Sequence, residues 1–221
     1  MNLNSYMPVK LVTGEGCVLS SAKELAKLGK HCLIVTGKTS AKACGALQDV
    51  TDALDRNGQS WLLFDEITQN PRLTDCMAAA EKAIAAGADF ILGIGGGSAL
   101  DAAKCIAVLA ANPGLTQAQL YAFEWANAPL KIAAVGTTAG TGSEVTKVSV
   151  ITTPDGRKKS FHHEAIFPTL ALGDPKYTMS LPPMVTRSTM VDVLAHCAES
   201  FFSRAANRRR RIISPSQTRQ K

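Results

Sequence analysis

Apolar residues follow two alternating patterns from the start of the chain to about residue 138. Short apolar runs without polar alternation predict strands that are covered on both faces. They span residues 31–37, 60–66, 88–95 and 131–138. Longer segments between them place apolar residues at helical spacing and predict helices over 40–58, 73–87 and 98–112. The alternation of strand and helix predicts an α/β fold built on a parallel sheet.

A different pattern begins after Thr138. Extended runs on either side of a TPDG turn predict a β-hairpin within residues 143–163. Two prolines in 180–185 interrupt the chain, and apolar residues at helical spacing then predict a helix over 188–202. Ser188 is the expected N-cap of that helix, because a serine side chain accepts hydrogen bonds from the first helical turn.

Length and composition exclude several classes of protein. The chain has 221 residues, of which 46% are hydrophobic, and this is enough for a sizeable core. No apolar run reaches the roughly 18 residues of a membrane span, and the first residues lack the pattern of a secretory signal. Six scattered cysteines form no C-x-x-C pair and favour reduced thiols. We therefore expect a cytoplasmic protein without a membrane partner.

The net charge of +6 comes from one end of the chain. Seven basic residues and no acidic residue lie in 204–221, whereas the rest of the chain is nearly neutral. The run of like charge and the shortage of core-forming residues predict a basic, disordered tail over 207–221. A basic patch gives nonspecific affinity for nucleic acid, but this tail has no aromatic residue, so a nucleic-acid partner is disfavoured.

Four glycines and a serine separate the third predicted strand from the helix that follows it, in the stretch GIGGGS at 93–98. Glycine costs about 0.5–1 kcal/mol inside regular structure relative to alanine, so the cluster indicates a backbone that a Cβ would obstruct. The N–H groups and the dipole at the start of the helix suit a pyrophosphate. Ser98 stands where the third glycine of G-x-G-x-x-G is expected, and a tight turn without a ligand is the alternative.

A second glycine-rich stretch, GTTAGTGSEVT at 136–146, follows the fourth predicted strand. It adds the hydroxyl groups of Thr137, Thr138, Thr141 and Ser143. The carboxyl ends of parallel strands meet at one edge of a sheet, where ligands bind in open α/β folds. We therefore expect the two loops to grip two ends of one extended ligand.

Asp192 and His196 lie four residues apart in the sequence DVLAH. Residues at this spacing share one face of a helix. One carboxylate and one imidazole on one face suit a divalent metal. Most such pairs on helices are incidental, so the bare pair is a weak indication of a metal site.

The stretches GGGSALDAAK and TTAGTGSEVT, with DVLAH downstream, resemble the iron-dependent (group III) alcohol dehydrogenase family over about residues 5–206. The resemblance implies a dinucleotide-binding parallel-sheet domain with a β-hairpin over 1–183. It implies that 184–206 begin an all-α metal-binding domain, of which only the first helix is present. Asp192 and His196 then supply half of a catalytic Fe²⁺ or Zn²⁺ site.

The same resemblance implies the residues that contact the cofactor. The glycine loop binds the pyrophosphate, the threonines lie around the nicotinamide and its phosphates, the asparagine is near the cofactor, and the lysine lies at the ribose. These residues are Gly95, Gly96, Gly97, Ser98, Asp101, Thr137, Thr138, Thr141, Asn70 and Lys159.

Gly37, at the end of the first predicted strand, bears on the choice between NAD and NADP. NAD-preferring relatives often carry an aspartate there, which binds the ribose 2′-OH and repels a 2′-phosphate. Glycine removes that repulsion, and Lys38, Thr39 and Ser40 are available to a phosphate. NADP is therefore favoured over NAD; a turn without selectivity is the alternative.

The resemblance implies a metal-dependent, NAD(P)-linked alcohol dehydrogenase that interconverts a small primary alcohol or diol and its aldehyde. Full-length relatives often form homo-oligomers. The family uses two further histidines, but no histidine follows His196, and the sequence turns arginine-rich after about Asn207. We therefore expect a truncated or frameshifted reading frame with little or no activity and with exposed apolar surface on its last helix. The alternatives are a nonenzymatic dinucleotide-binding remnant and a related polyol (glycerol-type) dehydrogenase.

Overall fold

A six-stranded parallel sheet forms the centre of the protein, in a computed structural model that describes residues 6–203. Its strands are β1 Lys10–Thr13, β2 His31–Thr36, β3 Ser60–Phe64, β4 Phe90–Gly95, β5 Lys131–Gly136 and β8 Leu170–Gly173. They lie in the order β1-β8-β5-β4-β2-β3, and every neighbouring pair is parallel. Between β5 and β8, strands β6 Val148–Thr152 and β7 Lys158–His162 form a separate antiparallel hairpin. The predicted parallel-sheet α/β fold and its hairpin are confirmed.

Helices cover both faces of the sheet. The α-helices of the described residues are α1 Cys17–Ser20, α2 Ala22–Ala26, α3 Ser40–Ala43, α4 Ala46–Arg56, α5 Leu73–Ala85, α6 Gly97–Ala111, α7 Gln117–Ala122 and α8 Pro183–Phe202. Successive residues of β2 point to opposite faces. Leu33 and Val35 pack with α5 and α6, whereas Cys32 and Ile34 pack with α1, α2 and α4. Both faces of the strand are buried, which explains its uninterrupted apolar run.

The direction of the strand order reverses between β2 and β4. From β2 the chain continues outward to β3, whereas from β4 it continues in the opposite direction to β5 and then β8. The loops that leave β2 and β4 therefore diverge and open a crevice at the carboxyl edge of the sheet. Ligands of open α/β sheets bind at such a switch point.

Several predicted elements differ in the structure. Strands β1 and β8 were not predicted, because runs of only four residues give too little periodicity to identify. The helix predicted over 40–58 is two helices, since Gly45 adopts a φ of +81° between α3 and α4. Helix α8 begins at Pro183 and not at Ser188, because proline in the first turn lacks only an N–H that has no partner within the helix.

The cysteines form no disulfide in the structure: all six lie within the described residues and are free thiols. Among residues 6–203, no helix combines the length and the apolar character that crossing a membrane requires. The tail predicted over 207–221 lies outside the described residues.

Candidate active site

A groove of about 260 Å³ occupies the crevice between β2 and β4. Four loops of the described chain line it, together with residues of α3, α6 and α8. The lining residues are Gly37, Ser40, Ile67, Thr68, Gln69, Gly95, Gly96, Gly97, Ser98, Ala99, Thr138, Thr141 and Thr189. Of the predicted cofactor residues, the structure brings together Gly37, the glycine turn at 95–98, and two threonines of the second loop.

The glycine turn brings the second loop within contact distance of the first. A Cβ on Gly96 would lie 3.0 Å from Thr138 Oγ1, and a Cβ on Gly97 would lie 3.0 Å from Thr141 Cγ2. Gly95 has a φ of +151°, and its Cβ would lie 2.8 Å from the Cβ of Ala99. The three glycines therefore keep a narrow channel open that larger residues would obstruct.

The N-terminus of α6 faces the groove. Gly96 is the N-cap of this 15-residue helix, and no side chain caps it. Residues Gly97, Ser98 and Ala99 of its first turn line the groove. The first N–H groups of a helix have no partner within the helix, and the helix dipole favours negative charge there. The groove therefore offers a phosphate an N–H-lined, electropositive end.

Asn70 connects the loop before α5 to the glycine turn. Its φ is +59°, its backbone N–H donates to Ser98 Oγ at 3.3 Å, and its carbonyl accepts from Thr152 Oγ1 at 3.3 Å. The neighbouring Thr68 and Gln69 line the groove. Asn70 thus lies at its margin, where its backbone fixes the position of Ser98.

Two predicted cofactor residues lie away from the groove lining. Thr137 is only 2% exposed, and its N–H donates to the carbonyl of Gly95 at 3.0 Å, so it links the ends of β4 and β5. Lys159 lies on β7, where its ammonium is 4.1 Å from the centre of the Tyr121 ring. In this structure Thr137 supports the end of β4, and Lys159 reaches from the hairpin to pack over Tyr121 of α7.

Asp101 and Lys104, one turn apart on α6, form a buried polar network with the second loop. Asp101 Oδ1 accepts from Ser143 Oγ at 2.6 Å, and its Oδ2 accepts from the Val150 N–H at 3.1 Å. The Lys104 ammonium donates to Ser143 Oγ at 2.8 Å and to the Val148 carbonyl at 2.7 Å. Burial raises the pKa of Asp101, although the Lys104 ammonium opposes that shift. Burial lowers the pKa of Lys104 to about 8, against the attraction of Asp101 and Glu144.

Sequence reasoning gave Lys104 no role, although it ends the motif GGGSALDAAK. The available signal was its context: a single lysine in a helix that is otherwise alanine-rich and apolar, one turn after an aspartate. The side chain is fully buried. Buried lysines are rare unless they are paired.

A larger cleft of about 930 Å³ adjoins the groove and shares Gly97 and Thr141 with it. The hairpin contributes Val148 and Val150 to its lining, and helix α8 contributes His196 among others. The walls are mostly apolar, with Asp101 at the side of α6. An extended ligand in the groove would therefore present one end to this cleft.

Asp192 and His196, the predicted metal ligands, lie one turn apart on α8. Asp192 Oδ2 lies 3.5 Å from His196 Nε2, and both side chains are largely exposed on α8. Two ligands at about 2.0–2.2 Å from one ion lie about 3–4 Å apart, so this spacing fits a shared ion. Within residues 6–203, however, no group of three or more histidine, cysteine, aspartate or glutamate side chains is placed to hold a metal. Residues outside that range include none of these types. The pair therefore does not fit a complete metal centre.

Comparison with known proteins finds a matching family model and curated relatives of known activity. The family model of iron-containing alcohol dehydrogenases matches residues 8–175. The chain is 36% identical to a sulfoacetaldehyde reductase of Bilophila wadsworthia over 91% of this chain and 52% of that protein. It is 37% identical to a 4-hydroxybutyrate dehydrogenase of Cupriavidus necator, over 87% of this chain and 51% of that protein. The chain thus spans about half the length of the curated relatives that it matches.

Solved structures show the same likeness. An iron-containing alcohol dehydrogenase of Thermotoga maritima matches with a TM-score of 0.87 and 38% identity, over 97% of this chain and 58% of the other. A sulfoacetaldehyde reductase of Bifidobacterium kashiwanohense in complex with NAD⁺ matches with a TM-score of 0.79 and 33% identity, over 92% and 54%. With the switch-point groove and the glycine turn in place, the sequence and structural matches show that this chain belongs to the iron-containing alcohol dehydrogenase family.

Proposed function

We propose that this chain binds a nicotinamide dinucleotide in the groove, as the cofactor-binding part of an NAD(P)-linked alcohol dehydrogenase. The substrate class is a small primary alcohol or diol and its aldehyde. One observation carries the proposal: the uncapped N-terminus of α6 meets three glycines at the switch point of the sheet. The related reductase solved with NAD⁺ supports it.

The geometry suggests how the dinucleotide lies. The N–H groups at 97–99 bind the pyrophosphate, because they point from an uncapped helix end into the groove. Gly37 and Ser40, after β2, would hold the adenosine half. Thr141 and the adjoining cleft would hold the nicotinamide half and, beside it, the alcohol or aldehyde; the ring would supply the hydride chemistry. The protein contributes binding and orientation, and the cofactor contributes the redox chemistry.

The described residues do not form a complete site for the metal that the family uses. A divalent ion, when bound, supplies Lewis-acid polarisation of the substrate oxygen. Asp192 and His196 provide two ligands, fewer than the three protein ligands of a typical catalytic zinc site. We therefore propose little or no dehydrogenase activity for this chain alone, with dinucleotide binding retained.

The lining of the groove supports NADP as the preferred cofactor. Gly37 lines the groove and places no carboxylate there. The nearby carboxylate of Asp65 is paired with Lys42. Lys38 and Ser40 stand beside Gly37 and offer an ammonium and a hydroxyl to a 2′-phosphate.

The first experiment titrates the purified 221-residue chain with NADPH and with NADH, followed by nucleotide fluorescence. Each titration is repeated with Zn²⁺ and with Fe²⁺ under anaerobic conditions. We expect saturable binding that does not depend on the metal, tighter for NADPH than for NADH. Folded, soluble protein that binds neither nucleotide would contradict the proposal.

A further inference from the structure

Lys104 is a buried cation that would not contact a dinucleotide in the groove. Its side chain is 0% exposed, and it does not line the groove or the cleft. Taking an ammonium out of water is costly, and an apolar residue of similar size often stabilises a fold as well as a buried ion pair does. The contacts of Lys104 therefore need an explanation other than stability.

Those contacts join three elements at one point. From α6, the Lys104 ammonium donates to Ser143 Oγ in the short 3₁₀ turn Ser143–Val145 and to the carbonyl of Val148 at the start of β6. Thr146 Oγ1, between the two, lies 3.4 Å from the ammonium. Ser143 Oγ in turn donates to Asp101, so one hydroxyl bridges the lysine and the aspartate. We call this set, Lys104 with Asp101, Ser143 and the Val148 carbonyl, the Lys104 clamp.

The Lys104 clamp holds the loop that forms one wall of the groove. Ser143 lies two residues after Thr141. The Thr141 side chain lies so close to Gly97 that a Cβ on Gly97 would be 3.0 Å from Thr141 Cγ2. Ser143 N–H also lies 3.4 Å from Thr141 Oγ1. The opposite wall is the first turn of α6, the same helix that carries Lys104. One wall is part of α6, and Lys104 ties the other wall to α6. The Lys104 clamp therefore fixes the distance between the two walls.

We propose that Lys104 is a positioning residue for the dinucleotide: by tying Ser143 and β6 to α6, it sets the width of the groove between the glycine turn and Thr141. The inference rests on the proposed function, because the groove must hold a dinucleotide for its width to matter. Lys104 touches no ligand in this scheme and acts through the loop.

The charge of Lys104 gives this role a pH dependence. The charged groups that face it are Asp101 on its own helix and Glu144 in the 3₁₀ turn, and the thiols of Cys76 and Cys105 lie near Asp101 between α5 and α6. Burial disfavours the ammonium, so the pKa of Lys104 is about 8 with the loop closed over it and returns towards the ordinary 10.5 when the loop opens to water. Raising the pH above about 8 therefore favours the closed loop, and dinucleotide affinity rises.

The test compares the wild-type chain with Lys104→Met and with a matched control, Lys131→Met. Lys131 begins β5 at the opposite edge of the sheet from the groove, where its ammonium donates to the Lys27 carbonyl. Dissociation constants for NADPH and NADH are measured from about pH 7 to pH 9. We expect Lys104→Met to weaken binding at least tenfold at pH 7 and to abolish the wild-type fall of the dissociation constant above about pH 8. Lys131→Met should match the wild type at every pH.

The outcomes separate this inference from the proposed function. A wild-type chain that binds neither nucleotide overturns both. Two results would overturn the positioning role alone, provided that the wild-type chain binds. One is that Lys104→Met binds with equal affinity, and the other is that Lys104→Met keeps the wild-type pH profile. If Lys104→Met does not fold, the double variant Asp101→Asn/Lys104→Met replaces it, because it removes both buried charges. A second measurement, by hydrogen exchange, needs only the wild-type chain. Hydrogen-exchange protection of residues 137–146, corrected for intrinsic rates, should rise between pH 7 and 9 as affinity rises, and constant protection overturns the inference.

Discussion

At the scale of single residues, the glycine turn is the feature that the sequence predicts best. Glycines cluster where a backbone needs space or a positive φ. Gly95, Gly96 and Gly97 all need the space, and Gly95 also has a φ of +151°. Lys104 shows the opposite case. A lone lysine in a helical pattern is typical of a solvent-exposed position, and only the tertiary packing of β6 against α6 buries it. Its partners lie about 40 residues away in sequence, beyond the reach of local pattern.

Gly95→Ala should destabilise the chain and prevent dinucleotide binding. A methyl group there combines a φ of +151° with a 2.8 Å approach to the Cβ of Ala99. We expect the free energy of unfolding in urea to fall by about 1–3 kcal/mol. Gly173→Ala is the control, because its Cβ would meet Thr13 Cγ2 at an ordinary 3.4 Å. Equal stability of the two variants would contradict the strain assigned to Gly95.

Gly37→Asp should reverse the cofactor preference. A carboxylate at this position of the groove repels a 2′-phosphate and accepts a hydrogen bond from a 2′-OH. We expect NADPH affinity to fall at least tenfold, or about 1.4 kcal/mol, while NADH affinity is kept or rises. Gly37→Ala controls for the tight 3.2 Å approach of any Cβ to the Ile67 carbonyl. If the alanine variant loses NADPH to the same degree, space and not charge sets the preference.

Lys104 should also change how stability depends on pH. The pKa of Lys104 is about 8 in the folded chain against an ordinary 10.5, so between these values the unfolded state binds more protons. Stability from this group therefore rises with pH in that window. In urea unfolding from pH 8 to 10, the wild-type chain should gain stability relative to Lys104→Met. Parallel curves for the two proteins would show that Lys104 keeps its proton throughout.

At the scale of elements, predictability follows length and burial. The long helices α5 and α6 and the buried strands β2 and β4 were predicted within a few residues, because their apolar patterns are strong. Strand β1 is mostly exposed and has four residues, so its pairing with β8 depends on contacts that are distant in sequence. The prediction of helix α8 is right in type but wrong at its start, because adjacent prolines that ordinarily interrupt a helix here begin one.

Helix α8 should make the chain associate. None of its 20 residues is buried, and Met190, Val191 and Leu194 are each more than 60% exposed. Exposed apolar patches of this kind favour association and bind hydrophobic dyes. We expect Val191→Lys/Leu194→Lys to lower dye fluorescence and shift sedimentation towards monomer.

The matched control adds the same charge to another helix. Met77 and Ile84 on α5 are also exposed, at 42% and 44%. Met77→Lys/Ile84→Lys should leave association unchanged. A similar loss of association in both double variants would assign the effect to net charge and not to the α8 surface.

At the scale of the whole molecule, the fold was predictable because one regularity, strand followed by helix, governs most of the chain. The site was predictable only where it follows from that regularity, at the loops after β2, β4 and β5. The arrangement of the hairpin over α6, which creates the Lys104 clamp and one wall of the cleft, depends on packing between distant segments. No local pattern encodes that packing.

Stability should reside in the sheet and its two helical layers, not in α8. Leu194→Pro places a residue that costs about 3 kcal/mol or more in the interior of a helix. Because α8 buries none of its residues, we expect the melting temperature of the sheet to change by less than about 4 °C. Ile106→Pro, in the fully buried middle of α6, should prevent folding. Tryptophan fluorescence during thermal unfolding measures both, and a large shift for Leu194→Pro would give α8 a structural role.

The pairing of β1 with β8 has a consequence for the order in which the chain is made. Lys10 pairs opposite Leu170, and the N–H of Gly16 donates to Asp174, 158 residues later. Contacts this distant in sequence form late, since the entropy of closing a long loop is lost before they stabilise anything. The ribosome therefore releases the first strand long before its partner exists. Until residue 173 has emerged from the ribosome, β1 has no partner strand. This edge of the sheet is therefore the last to form.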